Sequence, residues 1–129
     1  MLYLVLEYNN KIGHYWPEEK NTIGAGHLAF FLTDDVGCHA IKFYKEWLNN
    51  PEDTEGGGNY SHLEKRDNKV IISFEYDWFH ETPGAETLEL AIDQLNYILD
   101  RWQEACEKKP NRIIITLNDN DNITVDFED

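Results

Sequence analysis

The chain has 129 residues, the size of one domain, and carries 25 Asp and Glu against 11 Lys and Arg, for a net charge of −14. At 41% hydrophobic and 13% aromatic it can build a sizeable core, which excludes wholesale disorder. Its charge argues against nucleic acid and anionic membrane as direct partners, because both are polyanions.

No apolar run is long enough to span a bilayer. Met1 leads straight into Leu2–Tyr8, which contains Glu7 and does not resemble a secretory leader. Two cysteines are too few for a disulfide scaffold. The simplest expectation is a cytoplasmic chain with free thiols.

Leu2 to Tyr8 is apolar on both faces and rich in β-formers, as an interior strand is. Asn9 to Gly13 turns it. Pro17 imposes extended geometry on Trp16, but residues 14–26 otherwise leave their structure open. His27-Leu28-Ala29-Phe30-Phe31-Leu32 is too short for periodicity to decide, and strand is the preferred reading. Thr33-Asp34-Asp35 offers helix caps. Behind it Val36, Ala40, Ile41, Tyr44, Trp47 and Leu48 repeat at helical spacing up to Asn49-Asn50-Pro51. Glu52 to Gly58 reads as a flexible acidic loop.

Tyr60–Arg66 and Val70–Asp77 read as two strands around Asp67-Asn68, a pair that tolerates positive φ in a tight hairpin turn. Trp78 to Glu81 is an aromatic exit. From Glu86 to Lys108 the residues Leu88, Ala91, Ile92, Leu95, Ile98, Leu99, Trp102, Ala105 and Cys106 form one broad apolar helical face, and Pro110 stops the helix. Arg112–Leu117 is a strand, Asn118–Asn122 a turn, and Ile123, Val125 and Phe127 alternate with polar residues in a last strand. Two hairpins favour a single α+β domain: a mainly antiparallel sheet of five or six strands covered by two helices.

Motifs that carry chemistry are sparse. Cys38, in a predicted first helical turn, is the one candidate nucleophile, but no base or oxyanion site accompanies it in the sequence; a small half-buried cysteine is the plainer reading. Cys106 falls on the apolar stripe. The five histidines are scattered without metal-ligand spacing, so no metal is expected. Asn118–Asn122 fails the calcium-loop template, since position 6 counted from Asp119 is Thr124 and position 12 lies past Asp129. Gly24-Ala25-Gly26 lacks the rest of a dinucleotide loop, and no cofactor is expected. Carboxylate pairs carry no weight where acids are so common.

Charge patterning is more informative. Between Ile113 and Asp129 there is no Lys or Arg, yet Asp119, Asp121, Asp126, Glu128 and Asp129 are acidic. Glu52, Asp53 and Glu55 crowd one loop, and Asp77 and Glu81 flank Trp78 and Phe79. Acids beside aromatics suit an interface that receives a basic protein, with rings as anchors and carboxylates for steering. Asp77, Trp78, Glu81, Asp119, Asp121, Asp126, Glu52, Asp53 and Glu55 are therefore the expected partner-binding residues.

A small acidic α+β chain of this kind resembles the immunity proteins of bacterial contact-dependent inhibition and related polymorphic toxin systems. The similarity lies in the second half: Phe74-Glu75-Tyr76-Asp77-Trp78-Phe79, an amphipathic helix with Trp102, then Lys109-Pro110 and Ile113-Ile114-Ile115. The resemblance implies a non-enzymatic inhibitor that binds and blocks a cognate toxin domain, often a nuclease, in the producing cell. The alternatives are a small cytosolic enzyme using Cys38 or carboxylates, and an adaptor subunit.

Overall fold

A computed structural model describes residues 1–18 and 24–129. Residues 19–23, part of the stretch that the sequence leaves open, lie outside the described residues. Among the described residues the strands form two four-stranded antiparallel sheets.

The first sheet contains β1 (Leu2–Asn9), β2 (His14–Pro17), β7 (Arg112–Leu117) and β8 (Ile123–Glu128), in the order β2-β1-β7-β8. Leu4 faces Ile115 and Leu6 faces Ile113 across the β1–β7 pair, with all four side chains buried. β1 is thus an interior strand, as its composition requires. The second sheet orders β3 (Glu55–Gly57), β4 (Ser61–Arg66), β5 (Lys69–Phe74) and β6 (Leu88–Ala91) in sequence. The β4–β5 turn has Asp67 and Asn68 at φ 54° and 64°, the left-handed pair that a two-residue hairpin needs.

The α+β class therefore holds, with the strands divided between two sheets. One continuous core joins them. α1 (Ala25–Phe30) touches β1 and β2 on one side and β5 and β6 on the other. α4 (Ile92–Lys108) touches β8 as well as β5 and β6, and packs on α2 (Ile41–Asn49). Leu95, Ile98, Leu99, Trp102 and Ala105 are the buried stripe of α4.

Four local readings change. The strand expected over Val70–Asp77 stops at Phe74, and the chain turns helical from Glu75, whose N–H is taken by the Tyr60 carbonyl. Residues 27–32 are helical: α1 passes into a π-helical segment over Phe31–Val36. Leu28, Ala29, Phe31 and Leu32 are wholly buried because this segment lies between the sheets; with only Phe30 of residues 27–32 partly exposed, the run has no polar face to mark a helix. α2 accordingly starts at Ile41.

The long helix starts at Ile92, because Leu88–Ala91 is the edge strand β6, with Leu88 and Leu90 opposite Ile72 and Val70. Gln94 Oε1 accepts a hydrogen bond from the Ala91 N–H at 2.8 Å, fixing the strand-to-helix corner.

The glycine run is also ordered. Glu55–Gly57 pairs with β4, and the Trp47 indole donates to the Glu55 carbonyl at 2.9 Å. A Cβ on Gly56 would lie 2.8 Å from the Trp47 ring, so glycine there permits close packing rather than flexibility.

Cys38 and Cys106 are joined by a disulfide with Cα atoms 5.8 Å apart. This corrects the expectation of free thiols. Cys38 lies in the exposed turn before α2 and Cys106 near the end of α4, half-buried rather than deep in the core. The bridge between them was hidden in sequence by the separation of 68 residues.

Candidate functional site

β5 ends at Phe74, and the chain folds at once into a one-turn helix, α3 (Glu75–Phe79). The Glu75 N–H donates to the Tyr60 carbonyl at 2.7 Å, which seats the helix at the open end of the β4–β5 hairpin. No residue of α3 is buried. A helix this short has little intrinsic stability, so its contacts with the sheet must position it.

The main contact is Trp78. Its ring stacks on His62 of β4, with centroids 3.8 Å apart and planes 16° apart. His62 lies opposite Ser73 on the outward face of the second sheet, yet it is buried, and its Nε2 has no hydrogen-bond partner among the described residues. Glu75 Oε2 lies 4.0 Å from His62 Nδ1. One side of α3 is thus occupied in covering an imidazole.

The other side is open. Tyr76 and Phe79 are 70% and 71% exposed, and His80 packs against both rings. The aromatic surface continues beyond α3. Phe74 stacks on buried His27 at 4.1 Å and meets Phe30 edge-on; Phe30 stacks on Tyr60 and meets Trp16 of β2 edge-on. Trp16 and Tyr60 are both about half exposed. A band of rings therefore runs from the first sheet, over α1, to α3. Scattered surface aromatics are ordinary, whereas a contiguous set is a feature of interaction sites.

Two grooves flank Phe79. One is lined by Ser73, Asp77, Trp78, Phe79, Glu81, Ala85 and Thr87. The other, about 600 Å³, is lined by Tyr60, Phe74, Glu75, Tyr76, Asp77, Phe79 and neighbours. Among the described residues, neither lining contains Lys or Arg.

Most cations of the chain are committed elsewhere. Arg112 is held among Glu7, Glu18 and Glu128. Burial lowers its pKa while Glu18 and Glu128 raise it, and the balance is upward. On the other side of that cluster, a hydrogen bond with Glu18 raises the Glu7 carboxyl above its ordinary value. Arg101 pairs with Glu104, Lys45 with Asp100, Lys69 with Glu89 and Arg66 with Glu64. Lys65 folds inward over the Trp47 ring and donates to the Trp47 and Asn50 carbonyls at 2.5 and 2.6 Å; burial lowers its pKa. Among the described residues, Asp77 and Glu81 have no ion-pair partner.

The nine sequence-predicted residues do not form one patch. Asp77, Trp78 and Glu81 gather at α3. Asp53 lies at the opposite end of the second sheet, where Thr54 accepts from the Lys65 N–H close to the Asp67-Asn68 turn, and Glu52 precedes it there. Asp121 lies at that far end too: its carbonyl accepts from Gln94, and Ile92 beside it donates to the Asn68 carbonyl. β4 separates the two ends with six residues, roughly 20 Å.

Asp119 faces the N-terminal amine at 3.6 Å. Asp126 is exposed on the edge strand β8, and Glu55 sits in β3 opposite Glu64. The sequence reading passed over Trp16, Phe30, Tyr60 and His62. Only the aromatic density of 74–79 pointed to this surface, because the rest of the band comes together through the fold.

Among the described residues no three His, Cys, Asp or Glu side chains converge as a metal site, and no helix is long and apolar enough to cross a membrane. Comparison of the chain with protein-family models, with curated proteins and with solved structures finds no match.

Proposed function

We propose that this protein is an immunity-type inhibitor, which acts in the cytoplasm by binding a basic toxin domain and covering its active or substrate-binding surface. The observation that carries this reading is α3, where Tyr76 and Phe79 stand exposed beside Asp77 and Glu81, two carboxylates with no ion-pair partner among the described residues. Desolvated rings supply anchoring area at an interface, and unpaired acids supply complementarity to Lys and Arg.

A net charge of −14 further favours fast encounter with a cationic partner. A nuclease is the natural target class, since its site must attract phosphate. Asp119, Asp121, Asp126, Glu52, Asp53 and Glu55 act in this reading as a steering field spread over the molecule beyond α3. While the Cys38–Cys106 bridge is closed, Cys38 offers no thiolate for the enzymatic alternative.

The test is titration calorimetry and stopped-flow association with the product of the adjacent reading frame, at two salt concentrations. Phe79→Ala combined with Asp77→Asn should raise the dissociation rate at least tenfold. Asp119→Asn, Asp121→Asn and Asp126→Asn together should slow association and flatten its salt dependence, with little change in dissociation. Absence of binding, or an association rate indifferent to salt and to the acidic replacements, overturns the reading.

A further inference from the structure

The two grooves beside α3 offer different surfaces. In the groove lined by Trp78, one indole face is already stacked on His62. In the other, Tyr60 has one face on Phe30 and His80 packs against Tyr76 and Phe79, yet all three rings are more than half exposed, so much of their surface stays open. Glu75, Asp77 and His80 line the same groove, and among the described residues no Lys or Arg does. We propose that this groove is a slot for one arginine side chain presented by a protein partner. The proposal rests on α3 being the partner-binding element and names the residue that the partner brings.

The choice of side chain follows from the lining. Aromatic faces attract cations through their quadrupole, and carboxylates at the margin add a direct charge pair. An apolar side chain would fill the space but leave Asp77 desolvated without a partner, which is costly. An acidic side chain would be repelled. Between the two cations, guanidinium is planar and weakly hydrated, so it can lie flat on a ring while its fork reaches a carboxylate. The ammonium of lysine is compact and strongly hydrated, and can do only one of these well.

The slot can be tested on the free chain. The isotope-labelled, disulfide-intact protein is titrated by NMR with three blocked pentapeptides that differ at the centre: arginine, lysine, or citrulline, the uncharged isostere of arginine. The arginine peptide should produce saturable shifts at the amides of Tyr60 and residues 75–80. Lysine should bind at least twofold more weakly, and citrulline should not bind measurably.

Phe79→Ala should weaken the arginine peptide by roughly two- to fivefold, the worth of an exposed cation–π contact. Its ring is 71% exposed, so the fold should be unaffected. Asp77→Asn should weaken it comparably while leaving the spectrum of the free protein native.

Shifts spread over residues 52–55 and 118–121, or equal affinity for arginine and lysine, would show general electrostatic attraction and overturn the slot. So would the absence of saturable shifts. The outcomes separate from those of the broader reading. A basic protein that binds through Phe79 while the peptides ignore the groove removes the slot alone. Peptides that occupy the groove when no basic protein binds leave the slot and remove the inhibitor reading.

Discussion

Trp78 lies face to face with His62, 3.8 Å between ring centroids, and so ties a one-turn helix to the outer face of a sheet. The same ring is still 44% exposed. Trp78 is therefore both a structural cover and part of the surface a partner would meet. Trp78→Ala uncovers a buried imidazole and removes an aromatic pair worth about 0.5–1.5 kcal/mol beyond its buried area. It should lower the denaturation midpoint measurably and loosen α3. Phe79→Ala, one residue on, should alter stability by less than about 0.5 kcal/mol, because the residue is largely exposed and its ring meets only the neighbouring His80 edge-on. Chemical denaturation of both variants checks the contrast; equal losses would show that α3 is not anchored by the stack.

The core makes a firmer demand. Leu95 is 1% exposed in the stripe of α4 that faces the sheets. Leu95→Ala removes its transfer free energy and leaves a cavity, with an expected loss of about 2–5 kcal/mol. A loss below about half a kcal/mol by urea denaturation would mean that the helix does not pack as described.

What was legible in the sequence follows from which signals are local. The two hairpins were readable because turn chemistry and alternation lie within a dozen residues. Asp67-Asn68 takes positive φ, and Ile123, Val125 and Phe127 alternate along β8 as expected. The Leu95–Ala105 stripe was readable for the same reason.

Leu88–Ala91 misled because Leu88 and Ala91 fit helical spacing relative to Leu95, while Leu88 and Leu90 fit strand alternation opposite Ile72 and Val70. Only the neighbouring strand decides between these. Residues 27–32 misled because burial from both sides erases periodicity. For the site, Asp77, Trp78 and Glu81 were legible as acids beside an aromatic. The imidazole under Trp78 was not, since nothing in sequence shows that His62 and Trp78 meet.

Two buried phenols set an alkaline limit. Tyr15 donates to the Pro110 carbonyl at 2.5 Å and Tyr44 to the Gly57 carbonyl at 2.9 Å. Burial, with smaller contributions from nearby negative charge, pushes each pKa up to about 12. In the unfolded chain each ionises near 10. Their stabilising contribution is complete below about pH 10 and is lost as pH rises towards 12, because there the unfolded chain has released protons that the folded chain keeps.

The expected slope is a loss of up to roughly 1.4 kcal/mol per pH unit for each tyrosine across that window. Urea midpoints measured from pH 8 to 11.5 should fall steeply above 10. Tyr15→Phe should start lower, for want of the hydrogen bond, and fall less steeply. A midpoint independent of pH in this range would contradict the burial of both hydroxyls.

The disulfide supplies the last test, and it bears on where the protein works. Cys38 and Cys106 close a loop with a sequence separation of 68, for which chain entropy predicts about 4 kcal/mol of stabilisation. A second tether holds the same corner: the Trp102 indole donates to the Gly37 carbonyl at 2.7 Å. The fold should therefore survive reduction with a lower melting temperature. The Cys38→Ser, Cys106→Ser double variant should match the reduced wild type.

Neither cysteine lines the grooves beside α3, so partner binding should be the same with the bridge open or closed. Reducing compartments keep exposed cysteine pairs as thiols, and a cytoplasmic inhibitor would have to work in that form. Calorimetry of the protein with and without a dithiol decides the matter. Equal affinity is what the cytoplasmic reading requires. Binding that vanishes on reduction, with the fold intact by circular dichroism, would place the functional form in an oxidising compartment instead.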